Sequence, residues 1–81
     1  MRVRVLAFAT AARALGSSER ECELEEGATV AELRRALAAA APELASQLPR
    51  WAIAVDGELA GSDRALADGA EVALLPPVSG G

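Results

Sequence analysis

Histidine, lysine and tyrosine are absent from this sequence, and cysteine, methionine, phenylalanine and tryptophan occur once each. Without histidine or lysine, and with one thiol, the usual general bases, Schiff-base amines and metal ligands are nearly all missing. A single cysteine cannot form an internal disulfide. The net charge of −4 works against nucleic acid, which needs a basic footprint to displace counterions. It works equally against an anionic membrane surface. No apolar run approaches the roughly 20 residues needed to span a bilayer, and Met1 to Thr10 is too short for a signal peptide. Cytoplasm is the default compartment.

What remains is one small domain. At 81 residues, 52% hydrophobic and 25% charged, the chain reads as globular rather than disordered. Twenty alanines supply much of the apolar content, so the core must rest on eleven Leu, six Val and one Ile. All eight basic residues are Arg, as G+C-rich codon usage would give. A domain of this size buries only about 60% of its unfolded surface, so a partner would add stability by mass action.

Met1 to Phe8 alternates, with Met1, Val3, Val5 and Ala7 on one side, which predicts a strand. Ala9 to Leu15 is Ala-rich and stops at Gly16, a short helix with a glycine end. Arg20 to Leu24 alternates again and predicts a second strand, antiparallel to the first, with Cys22 as a small buried hydrophobe. Arg2 and Arg4 are placed to pair with Glu21 and Glu23. After the Glu25–Gly27 turn, Thr29 and Glu32 form a capping box. Leu33, Leu37, Ala40, Ala41 and Leu44 follow at helical spacing, with Arg34 and Arg35 toward water, and Pro42 ends the regular helix near Ala40. Trp51, after Pro49-Arg50, is a core plug at the start of a strand to Val55. Asp56-Gly57 is a strong hairpin signal, with Glu58 to Ala60 as the return strand. Ser62 to Leu66 reads as a loop or single turn. Ala70 to Leu75 suits a central strand buried on both faces.

This order of elements predicts an α+β fold with a mixed sheet, one long helix packed on one face and a flexible C-terminal tail, the ubiquitin-like β-grasp. The domain is expected over residues 1–75 and the tail over 76–81.

The tail carries the chemistry. No charged side chain follows Glu71, and the sequence ends LLPPVSGG. Pro76 and Pro77 favour an extended chain with little entropy left to lose. The six residues Pro76 to Gly81 reach roughly 20 Å at about 3.3–3.6 Å each. Gly80 and Gly81 have no Cβ, so a partner's walls can close tightly on the backbone. The group at the end is an α-carboxylate, a poor acyl donor until activated, for example as an acyl-adenylate. Displacement of AMP by sulfide or persulfide would leave a thiocarboxylate, a nucleophilic sulfur on an arm. Gly81 is therefore the candidate acyl carrier and Gly80 a steric requirement. Ser79, Val78, Pro77 and Pro76 are candidate contacts in a partner's channel. Phe8, Leu74 and Leu75 are candidates for an interface or for the core.

RVRVLAFATAARALG, TVAELRRAL, AVDGELA and LADGAEVALLPPVSGG together make the chain resemble the small subunits of molybdopterin synthase over nearly its whole length. The closing segment is the specific one; the helix and hairpin fit many β-grasp proteins. Asp56 stands where that family often has Asn, and Leu74 and Leu75 where it often has aromatics. The resemblance implies a large catalytic subunit as partner in a heterotetramer, and an E1-like adenylyltransferase that uses ATP. It implies no metal and no permanently bound cofactor, and sulfur donation to a cyclic pyranopterin monophosphate to make the dithiolene. A carrier for thiamine or tRNA thiolation would share the fold and the activation. A ubiquitin-like modifier attached through Gly81 is a further reading. Lacking lysine, the chain could not build side-chain-linked polymers of itself. A plain binding module with an incidental tail is the last.

Overall fold

A computed structural model describes residues 1–77, apart from the side chains of Ala9, Thr10 and Ala14. Strand β1 spans Arg2–Ala7 and is followed by helix α1, Ala9–Leu15. Gly16 closes α1 with φ +81° and donates to the carbonyls of Ala12 and Arg13, the left-handed end that glycine adopts without strain. Strand β2 spans Glu19–Glu23 and helix α2 Val30–Ala40. Two short 3-10 helices, Pro42–Leu44 and Leu48–Arg50, lead to β3, Ala52–Val55, then β4, Glu58–Ala60, and β5, Glu71–Leu75.

The five strands form one mixed sheet in the order β2-β1-β5-β3-β4. The first and last strands lie side by side in parallel, with Arg4 opposite Glu71 and Ala7 opposite Leu74. Every other pairing is antiparallel. This is the expected β-grasp arrangement. Hydrogen bonds around Asp68-Gly69, two between backbone groups and one to the Asp68 carboxylate, hold the parallel register. Gly69 N donates to Arg2 O at 2.7 Å, Arg2 N donates to Asp68 Oδ1 at 2.7 Å, and Arg4 N donates to Ala70 O at 2.8 Å. Gly69 has φ +84°, so an L side chain there would be strained.

The hairpin forms as Asp56-Gly57 dictates. Both residues have positive φ, +48° and +86°, the condition for a type I′ turn. Asp56 also holds β5: its N–H donates to Glu71 O at 2.8 Å and its Oδ1 accepts from Glu71 N at 3.0 Å. Helix α2 starts with the predicted reciprocal cap, Glu32 N donating to Thr29 Oγ1 at 3.4 Å and Thr29 N to Glu32 Oε1 at 3.2 Å.

One face of the sheet is covered. Val3, Val5 and Ala7 of β1, Val72 and Leu74 of β5, and Ile53 and Val55 of β3 pack with Val30, Leu33 and Leu37 of α2. Leu44, Leu48 and Trp51 close the same core. Each fully buried Leu contributes about 1.5–3 kcal/mol relative to exposure.

Several expectations change at residue level. Ala40 is exposed, because the helix ends there; the buried stripe runs Val30, Leu33, Leu37 and then Ala41. Strand β5 is buried on one face only; Glu71, Ala73 and Leu75 are half-buried on the other. No second layer among the described residues covers that other face. Arg34 is half-buried and donates to Leu48 O, which ties α2 to the second 3-10 helix. Ser62 to Leu66 is a loop whose Ala65 bridges Thr29.

Candidate functional site

Strands β1 and β5 are parallel, so their carboxyl ends reach the same edge of the sheet. Phe8 and Leu75 each stand one residue beyond the Ala7–Leu74 pair. Phe8 is 53% exposed, Leu75 and Pro76 are half-buried and Pro77 is exposed. The chain therefore leaves the fold from an apolar corner.

Leu74 does not belong to that corner. Its relative exposure is 0% and it packs in the core with Val72 and Ile53. The expectation of Leu74 as a binding residue is corrected: successive strand residues point to opposite faces, and Leu74 takes the covered one. Val78, Ser79, Gly80 and Gly81 lie outside the described residues.

The uncovered face continues from the corner. Residues in register share a face, and this brings Leu6, Ala73, Ala54 and Leu59 into one row across β1, β5, β3 and β4. Ala52 lies beside Leu75 in the next row. Leu59 is 74% exposed, the largest such value for a bulky hydrophobe in the described residues. Leu6, Leu59, Ala52, Ala54 and Ala73 were missed as candidates. Leu6 shares its face with Arg2 and Arg4, and Leu59 shares its own with an alanine. An apolar residue on a strand's polar side was the available signal.

The opposite end of this face is charged. Arg4 bonds Glu71 at 2.6 Å and Arg2 bonds Glu23 at 3.1 Å. The Arg2–Glu23 pair was expected; Arg4 turns to Glu71, its neighbour across the parallel pair, rather than to Glu21. Both guanidiniums are held above their ordinary pKa, Arg2 chiefly by its hydrogen bond to Glu23 and Arg4 by its hydrogen bond to Glu71. Cys22 lies on the core side of β2, opposite Val3. It is half-buried, and burial pushes its thiol pKa up against a weaker opposing effect of Arg20. That favours an inert thiol over a sulfur relay. Among the described residues no helix is long and apolar enough to cross a membrane.

A model of the ThiS family matches residues 5–81. The chain belongs to the ThiS family. The match runs through both final glycines. The chain is 37% identical to a molybdopterin synthase sulfur carrier subunit of Chlamydomonas reinhardtii, covering all of both chains. Small archaeal modifier protein 1 of Haloferax volcanii superposes with a TM-score of 0.90 at 32% identity, covering 100% of each chain. In a protein–protein complex of subunits 1 and 2 of the molybdopterin-converting factor from Helicobacter pylori, the matching chain has a TM-score of 0.70 and 29% identity, with both chains fully covered.

Proposed function

We propose that this family member is the sulfur carrier subunit of a molybdopterin synthase and that Gly81 carries the sulfur. The observation that carries the reading is the exit of the chain at Leu75-Pro76-Pro77, beside Phe8 and the uncovered apolar face. A large subunit would seat that face, centred on Leu6, Leu59 and Leu75, and receive residues 76–81 as an extended arm. The arm has no charged side chain, so it loses little hydration on entry. An isolated anion is costly to bury unless paired, so the partner would supply Lys or Arg at the channel end.

Before that, an E1-like enzyme would join the Gly81 carboxylate to AMP from ATP with loss of pyrophosphate. Sulfide, or a persulfide whose acyl disulfide is then cleaved by a second thiol, would displace AMP and leave the thiocarboxylate. Its sulfur would attack the cyclic pyranopterin monophosphate held by the large subunit, and hydrolysis of the resulting thioester would leave sulfur on the pterin and return Gly81 as a carboxylate. The assembly would be a heterotetramer, and the carrier alone would turn over nothing. The kinship with the Chlamydomonas carrier and with a chain that pairs with a second subunit supports this reading.

Reconstitution tests it. The thiocarboxylated chain, a candidate large subunit and the pterin precursor are mixed, and dithiolene is measured. Product that depends on the sulfur at Gly81 is expected. Its absence, with the large subunit bound and active with another carrier, overturns the reading.

A ubiquitin-like modifier is the second reading, favoured by the similarity to an archaeal modifier protein. Intact mass after activation separates the two. Sulfur in place of one oxygen at Gly81 marks a carrier, and isopeptide-linked adducts on other proteins mark a modifier.

A further inference from the structure

The uncovered sheet face is divided along the strands. Its far half contains Arg2 and Arg4, surrounded by more carboxylates than they can neutralise. Arg2 bonds Glu23 and Arg4 bonds Glu71. Glu21 also acts on both guanidiniums, Glu19 on Arg4 and Asp68 on Arg2. Two guanidiniums thus face five carboxylates, and with the Met1 ammonium that lines the same cleft the net charge is −2. Glu21, Glu23 and Asp68 line one open cleft of about 720 Å³ with Arg2 and Arg4. Glu19 stands in register with Leu6, so acid and apolar row are adjacent on one continuous surface.

An apolar seat is non-directional, and small side chains such as Ala52, Ala54 and Ala73 do little to fix how a partner turns upon it. Charge on one side supplies direction. From Glu71 to Leu75 is four residues along β5, about 13 Å at about 3.3 Å per residue. We infer that the acidic half of this face steers and orients docking onto a large subunit whose apolar seat is flanked by Arg or Lys about 13 Å from the point where the tail enters. Both Arg2 and Arg4 already hold carboxylates, so the excess charge offered to the partner is negative. The inference rests on the reading that a large subunit seats this face. Opposite charge across an interface mainly raises the association rate and selects orientation.

The test measures association and dissociation of the full chain with the purified large subunit, at ionic strengths of about 0.01 M and 1 M, where the screening length is about 30 Å and about 3 Å. Three proteins are compared with the unaltered chain: Glu19→Gln with Glu21→Gln, Glu43→Gln on the helix side, and Leu59→Asp. The double variant is expected to associate on the order of 10-fold more slowly at low salt. It should match the unaltered chain at 1 M and keep its dissociation rate within about 2-fold, consistent with a long-range effect on encounter. Glu43→Gln should change neither rate. If Leu59→Asp weakens binding while the double variant associates at the unaltered rate, or no more slowly than Glu43→Gln, the face docks but its acids do not steer, and the inference is overturned. If Leu59→Asp binds as the unaltered chain does, the large subunit sits elsewhere and the docking reading falls with it. Circular dichroism of each variant separates these outcomes from unfolding.

Discussion

The two faces of the sheet are built from the same strands and share almost nothing else. Toward α2 the strands place Val3, Val5, Val55, Ile53, Val72 and Leu74, all at 2% exposure or less. Away from it they place Ala52, Ala54, Ala73, Leu6, Leu59 and Leu75, none of them buried. Branched, well-filled side chains sit where close packing holds the fold. Alanines and a few isolated leucines sit where nothing among the described residues covers them. The core and the proposed docking face are thus separated by one residue along each strand, and neighbouring substitutions should have unlike consequences.

The chemistry proposed for the tail is the sharpest case. Removing Gly81, or adding one residue after it, should abolish sulfur transfer in the reconstituted synthase while the melting temperature stays unchanged, since β5 ends at Leu75. A truncated chain that still transfers would break the separation at its most important point. Gly80→Ala should also cut transfer strongly with weaker effect on docking, because one methyl needs room in a narrow channel. If Gly80→Ala and Gly80→Val both transfer at the unaltered rate, the channel is wide.

Leu74 and Leu75 provide the adjacent pair. Leu74→Ala should cost about 2–5 kcal/mol of stability by urea unfolding, the range for a buried leucine. Leu75→Ala should cost far less and show its effect in partner affinity instead. Equal losses of stability would mean that the two faces are not distinct.

Glycines sharpen the contrast within the loops. Gly69, at φ +84°, should lose about 1 kcal/mol on substitution by Ala, measured by the same unfolding curves. Gly61 has open space around its Cβ position and no positive φ. Gly61→Ala should be neutral or stabilise by up to about 1 kcal/mol through the unfolded chain.

Cys22 should show the smallest effect. Cys22→Ala should retain full transfer if, as proposed, the sulfur is carried on Gly81. Burial raises the pKa of this thiol, so at a given pH less thiolate is present and alkylation by iodoacetamide should be slower than for a free thiol. Its rate should still be climbing with pH where an ordinary cysteine has levelled off. Fast alkylation at neutral pH would show that β2 opens readily.

Much of this was legible in the residues themselves. Thr29-Glu32, Asp56-Gly57 and the alternation of Met1 to Ala7 are local signals whose physics does not depend on the rest of the chain. Their order then leaves few ways to join the strands. Leu74 against Leu75 was not legible: Val72 to Leu75 is apolar throughout, and a period of two cannot be seen where every residue is of one kind. The partner of Arg4 was hidden for another reason. Glu71 is 67 residues away, and only the exact parallel register brings it opposite. Leu59 escaped because a three-residue strand is too short to display a pattern.

The place of β5 in the sheet has a temporal consequence. Strands β1 and β2 form one hairpin-like pair and β3 and β4 another, and β5 alone joins them. A chain still being synthesised at residue 60 holds two ribbons that share only the core under α2 and lack the strand between them, and isolated two-stranded ribbons are marginal in water. The sheet closes only after the ribosome has delivered the strand that immediately precedes the tail. The apolar row from Leu6 to Leu59 therefore becomes continuous only when β5 is in place.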